Sequence, residues 1–169
     1  MQNLIKQAHK RLLKSGQTVA TAESCTAGLL SSLLTLLPGS SRYFILGITT
    51  YSNKVKGSVL KVPAALIRKK GAVSKETALL MAQKVRKLAK ADLGISITGI
   101  AGPDGGTPRK PVGTVFIALS SKNKSSCKKF VFKGNRNSIR KQAAIKALQL
   151  LNANIYSNRI TSAYKRSAC

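Results

Sequence analysis

A three-layer α/β/α sandwich on a mixed, mostly parallel central sheet is the fold this sequence predicts. Three observations carry it. Apolar stretches with helical spacing alternate with short β-branched runs, the pattern of strand–helix crossover units. Two strand-like runs between residues 112 and 132 are separated by a few polar residues, which adds a hairpin and hence antiparallel pairing. The chain has 169 residues, 43% of them hydrophobic, so it fits one domain burying roughly 70% of its unfolded surface.

Each element has a local reason. Leu4, Ile5, His9, Leu12 and Leu13 share one helical face, and Ser15-Gly16 ends that helix. Residues 18–22 read as a short buried strand running into a Glu-Ser-Cys-Thr-Ala-Gly turn and an apolar helix over 29–37, stopped by Pro38-Gly39. Residues 43–51 are rich in β-branched and aromatic side chains and form a strand; 52–56 leave it as a loop or short helix. Pro63 suits the first turn of a helix over 64–70. Ser74 caps a long helix reaching about residue 89. A strand over 92–98 ends in a loop too rich in glycine for regular structure. Residues 112–120 and 126–132 make the hairpin, and 137–151 the last helix. The single domain is expected over residues 1–153, followed by a basic, frayed tail over 154–169.

Composition excludes several chemistries. Thirty Lys and Arg oppose four acids, a formal charge of +26, and there is one histidine, His9. A carboxylate pair would have to come from Glu23, Glu76, Asp92 and Asp104, and no spacing resembles a zinc motif. No apolar run reaches the ~20 residues of a membrane span, and the charged, helix-periodic start is unlike a signal peptide. A cytoplasmic protein with reduced thiols is therefore expected. The basic residues are spread evenly, no run exceeds Arg68-Lys69-Lys70, and no Trp is present to stack on bases. That reads as compositional drift over solvated faces rather than a dedicated nucleic-acid surface.

Three polar, glycine-bearing segments fall at predicted strand ends, where open α/β sheets bind ligands: residues 23–28, 50–56 and 98–106. Ser24 sits at a strand-to-helix junction whose following helix N-terminus aims N–H groups at a developing negative charge. A serine hydroxyl needs a base, and a lysine serves if burial and surrounding positive charge lower its pKa. Backbone donors from Cys25, Thr26 and Ala27, or from the 98–102 loop where Gly99 and Gly102 permit close approach, are candidate oxyanion ligands. The Cys25 thiol itself reads as packing, and Asp104 as part of the Pro-Asp-Gly-Gly turn.

A series of motifs then becomes specific. In order come Thr21-Ala22-Glu23-Ser24-Cys25-Thr26-Ala27-Gly28, Pro38-Gly39-Ser40-Ser41 and Thr50-Tyr51-Ser52-Asn53-Lys54-Val55-Lys56. Gly71-Ala72-Val73-Ser74, Thr98-Gly99-Ile100-Ala101-Gly102-Pro103-Asp104-Gly105-Gly106 and Lys110-Pro111-Val112-Gly113-Thr114-Val115 follow. The series resembles the CinA C-terminal domain family from about residue 4 to 151.

The resemblance implies hydrolysis of nicotinamide mononucleotide to nicotinate mononucleotide and ammonia by a Ser/Lys dyad. No metal or organic cofactor is implied, and a homodimer or larger homo-oligomer is. On this sequence the nucleophile falls on Ser24 and the base on Lys56, with Lys54 the neighbouring alternative. Tyr51 and Thr98 match positions expected to line the pocket. Gly134-Asn135-Arg136 resembles the family's Gly-Asp-Arg, so Arg136 becomes the candidate phosphate contact, with Arg140 one turn later as runner-up. Two positions depart from the family pattern: Ala27 for glycine, expected to tighten the turn, and Asn135 for aspartate, which removes a charge able to orient an arginine. The contrasting reading is a non-catalytic, nucleic-acid-associated competence or damage-inducible protein on the same fold.

Overall fold

The computed structural model describes the backbone of residues 1–166 and the side chains of residues 1–155. The elements run α1 (Gln2–Ser15), β1 (Val19–Glu23), α2 (Leu29–Leu34), a 3₁₀ turn (Ser40–Arg42), β2 (Phe44–Thr49) and α3 (Asn53–Ser58). After them come α4 (Ala64–Lys70), α5 (Lys75–Leu88), β3 (Leu93–Gly99), β4 (Thr114–Ser120), β5 (Ser125–Val131) and α6 (Arg136–Arg166). The five strands form one sheet in the order β2-β1-β3-β4-β5. β2, β1 and β3 pair in parallel, while β3–β4 and β4–β5 are antiparallel. The expected mixed α/β sheet is the observed one.

Alternation along the strands sends side chains to two layers. On one face Val19, Ile95, Ile97, Val115 and Ile117 pack with Ile5 and Leu12 of α1, Leu30 of α2 and Ile139, Ala143 and Leu148 of α6. On the other, Ala20 and Ala22 meet Ile67 of α4 and Met81 and Val85 of α5, and Phe116 and Ala118 meet Ala78 and Ala82. The lone histidine belongs to the first layer. His9 Nδ1 lies 3.1 Å from the Tyr43 hydroxyl, which itself donates to the Leu34 carbonyl, so the ring is a structural donor remote from any base role.

Boundaries shift where local bonds intervene. The helix expected over 29–37 stops at Leu34, with Thr35 as its C-cap and Thr35 Oγ1 bonded back to the carbonyls of Ser31 and Ser32. The segment 52–56, left open between loop and helix, is α3, capped by Ser52 Oγ accepting from the Val55 N–H. The last helix passes its expected end at 151 and runs to Arg166. Ile155 is still buried, and Asn152 Nδ2 donates to the Leu4 carbonyl, so contact with α1 continues beyond the predicted stop. Of the expected tail over 154–169, the backbone of residues 154–166 continues this helix, and residues 167–169 lie outside the described residues.

Candidate active site

The carboxyl ends of the three parallel strands converge on one cavity of about 290 Å³. Ser24 follows β1, and its N–H donates to Ile97 O of β3, which places the serine between β1 and β3. Lys56 comes from α3 beyond β2. Lys56 is 1% exposed, and its Nζ lies 3.1 Å from Ser24 Oγ, 2.8 Å from Thr50 O and 3.0 Å from Tyr51 O. Lys54, the alternative base, is exposed on the same short helix and does not line the cavity.

The surroundings of Lys56 favour the free amine. Burial drives its pKa below 10.5, and the neighbouring Cys25 opposes this only in part. Among the described residues no carboxylate touches Nζ. A neutral amine has two N–H groups and one lone pair. Nζ donates to Thr50 O, Tyr51 O and Ser24 Oγ, one acceptor for each N–H of an ammonium; after loss of one proton the amine can keep both carbonyl bonds and turn its lone pair to the Ser24 hydroxyl proton. The same three contacts serve the ammonium and, once burial has favoured loss of its proton, a general base.

Glu23, one residue before the nucleophile, is fully buried, yet it faces away from this pair. Its two oxygens accept from the N–H groups of Gly28, Leu30 and Ser31 and from Ser31 Oγ, at 2.6–3.1 Å. It is the anionic cap of α2 and fixes the 24–28 turn from its far side. Within that turn Ala27 adopts a left-handed φ of 50°, and its N–H returns to Ser24 O. Cys25 is buried and its thiol is pushed up to about 11 by desolvation, so it packs rather than reacts. Gly99 lets β3 close on this turn: a Cβ there would sit 2.6 Å from Val115 Cγ2 and 3.1 Å from Cys25 Sγ.

At the cavity mouth Arg136 donates to Gly102 O (2.8 Å) and to the Tyr51 hydroxyl (2.8 Å), tying the loop after β3 to the loop after β2. Ser24, Cys25, Tyr51, Lys56, Thr98, Gly99, Gly102 and Arg136 all line the cavity. Arg140 does not. Its Nε and NH2 donate to Cys25 O and Thr26 O at 3.1 and 3.0 Å, so the guanidinium proposed as a second phosphate contact is committed to the turn. Thr98 Oγ1 donates to Ala72 O, and Thr26 is fully buried.

Asn135 has a local role of its own. Its Oδ1 accepts from the Ser138 N–H at 2.9 Å, while Arg136 donates to Gly102 O and the Tyr51 hydroxyl. Sequence reading passed over Asn53, Val73 and Asp104 as lining residues. It also passed over Lys110, whose Nζ holds the carbonyls of Lys70 and Val73 and shapes one wall. Val73 and Lys110 lay inside quoted motifs, but no spacing rule assigned them to the wall.

With this geometry in view, similarity to known proteins is informative. The family described as the CinA C-terminal domain matches residues 1–155. The chain belongs to the CinA C-terminal domain family. It is 48% identical over 145 residues to a CinA-like protein of Geobacter metallireducens, covering 86% of this chain and 35% of that one. A CinA-like protein of Desulfotalea psychrophila is 49% identical over 151 residues, with coverage of 89% and 36%. The chain therefore spans about a third of the length of the curated relatives it matches. Among solved structures, the competence/damage-inducible protein CihA of Agrobacterium tumefaciens superposes with a TM-score of 0.87 at 36% identity, covering 89% of this chain and 93% of that one. A CinA superfamily protein of Klebsiella pneumoniae superposes at 0.88 with 30% identity, covering 92% and 97%. Among the described residues no helix is long and apolar enough to cross a membrane, and no group of His, Cys, Asp and Glu is arranged to hold a metal ion.

Proposed function

We propose that this CinA-family domain is a serine amidohydrolase that converts nicotinamide mononucleotide to nicotinate mononucleotide and ammonia. The observation that carries the reading is the buried Lys56 Nζ 3.1 Å from Ser24 Oγ, with Thr50 O and Tyr51 O as its other hydrogen-bond partners. Lys56 takes the hydroxyl proton as Oγ bonds to the carboxamide carbon, and the C=O electron pair moves onto oxygen. Collapse of that adduct breaks the C–N bond. The leaving nitrogen takes the proton back from Lys56 and departs as ammonia. Water then repeats the sequence on the acyl-serine, releasing the carboxylate and restoring Ser24.

Candidate oxyanion donors are the N–H groups of Cys25 and Thr26, which no protein acceptor takes among the described residues; that of Ala27 is committed to Ser24 O. Arg136 at the mouth supplies a fork suited to the phosphate, and the cavity volume suits a mononucleotide.

Ammonia release from nicotinamide mononucleotide tests this directly. Ser24→Ala and Lys56→Met are each expected to lower kcat by about 10⁴-fold or more while leaving the circular dichroism spectrum intact. Wild-type turnover by either variant removes the dyad. Because the base acts as the free amine, kcat/KM is expected to rise with pH to a plateau, with a midpoint below 10.5. The same depression means that the folded state holds a proton on Lys56 less well than the unfolded chain does. Lys56 therefore weakens the fold most at low pH, and its penalty fades as pH rises through the window between its depressed value and 10.5. Lys56→Met removes that pH-dependent component.

A further inference from the structure

The mechanism leaves one strong cation unexplained. Arg140 lies one helical turn beyond Arg136 on α6, outside the cavity wall, and puts two donors onto consecutive carbonyls of the nucleophile turn. Those carbonyls matter through the planes they belong to. Across a trans peptide the C=O and N–H point in opposite directions, so holding one fixes the other. Cys25 O shares its plane with Thr26 N–H; Thr26 O shares its plane with Ala27 N–H. Ser24 O, which accepts from Ala27 N–H, shares its plane with Cys25 N–H.

The result is a closed set of constraints. Arg140 Nε fixes the Cys25–Thr26 plane, Arg140 NH2 fixes the Thr26–Ala27 plane, and the Ala27 N–H to Ser24 O bond fixes the Ser24–Cys25 plane. The two N–H groups left without a protein acceptor among the described residues, those of Cys25 and Thr26, belong to planes held from the carbonyl side. Charge-assisted bonding to a carbonyl also polarises its amide and strengthens the N–H as a donor. Glu23 anchors the other end of the turn through the N–H groups of Gly28, Leu30 and Ser31.

We propose that Arg140 is a positioning residue for the oxyanion site rather than a contact for the substrate phosphate: through Cys25 O it aims and polarises the Thr26 N–H, and through Thr26 O it fixes the Ala27 N–H whose bond to Ser24 O holds the plane of the Cys25 N–H. The inference rests on the amidohydrolase reading for its substrate, and on the turn geometry alone for its mechanism.

The test compares wild type with Arg140→Lys and Arg140→Gln, each first checked for a cooperative unfolding transition. With nicotinamide mononucleotide, kcat is expected to fall by about 10- to 100-fold in Arg140→Gln while KM stays within about 3-fold, a smaller loss than deleting an oxyanion donor outright. Arg140→Lys, which keeps the charge but loses the fork, is expected to fall between them. Replacing the substrate carbonyl oxygen by sulfur, a weak acceptor, is expected to slow wild type more than Arg140→Gln, because the variant has less oxyanion stabilisation to lose.

A fluorophosphonate that labels Ser24 without any pyridine nucleotide supplies the independent arm, and its labelling rate is expected to fall in parallel with kcat. A rise in KM at unchanged kcat makes Arg140 a phosphate contact and overturns the proposal. So does an unchanged sulfur effect or an unchanged labelling rate. If wild type labels rapidly, Arg140→Gln labels slowly and neither turns over the nucleotide, the positioning role stands and the substrate assignment falls.

Discussion

The inner and outer ends of the cavity are built to different standards. At the inner end, Glu23, Ser24, Cys25, Thr26 and Lys56 are buried, and the turn between β1 and α2 is held from both sides by Glu23 and Arg140. At the outer end Tyr51 is 56% exposed, Asp104 and Gly105 face solvent, and Arg136 is secured by two bonds, one of them to that exposed hydroxyl. The contrast separates two tasks. Chemistry needs donors and base fixed before substrate arrives, since reorganising them during reaction raises the barrier. Recognition needs groups that exchange partners, and a phosphate offers Arg136 the same acceptor chemistry as Gly102 O and Tyr51 Oη.

The sharpest way to break the contrast is at Glu23. Glu23→Gln keeps the size but turns one acceptor oxygen into an NH₂ that faces N–H donors, and it removes the charge at the start of α2. With two or so charge-assisted buried bonds lost, destabilisation of about 2–4 kcal/mol is expected, read as a fall in the urea midpoint. Turnover is expected to fall with it, because the nucleophile turn loses one of its two anchors. A variant as stable as wild type would mean that the inner end is rigid for some other reason.

How much of this was legible beforehand divides along the same line. The strands carrying the site announced themselves through β-branched runs, and the glycine-rich segments after them marked the cavity. Ser24, Lys56 and Arg136 came from motifs within single segments, and the structure brings all three to one wall or another of the same cavity. Arg140 was misjudged because its partners are 114 and 115 residues away along the chain, and no local pattern encodes a bond of that separation. The length of α2 was misjudged for a different reason. Leu36 and Leu37 extend an apolar run, yet Leu36 is exposed and the chain leaves the helix at Thr35, shortly before Pro38.

Removing the outer guanidinium sharpens the comparison from the other side. Arg136→Met is expected to raise KM for nicotinamide mononucleotide by about 10- to 100-fold, the loss of roughly 1.5–3 kcal/mol of charged hydrogen bonding, with kcat changed by only a few-fold. Tyr51→Phe, which deletes one of the two bonds orienting that arginine, is expected to give a smaller KM rise in the same direction. Steady-state kinetics on both variants checks this; a kcat loss comparable to that of the dyad variants would erase the division between the two ends.

The smallest effect expected lies inside the well-ordered end. Ala27 holds a φ of 50°, where a Cβ crowds the following carbonyl at a cost of roughly 1–2 kcal/mol. Its side chain is exposed, so replacing it removes little packing. Glycine escapes the strain but adds freedom to the unfolded chain worth about 0.5–1 kcal/mol against folding. The balance favours Ala27→Gly by a few tenths to about 1 kcal/mol, visible as a slightly higher urea midpoint. Because the Ala27 N–H still reaches Ser24 O, kcat is expected to stay within about 2-fold of wild type. A lower midpoint, or a clear loss of turnover, would show that the alanine methyl steadies the nucleophile turn rather than straining it.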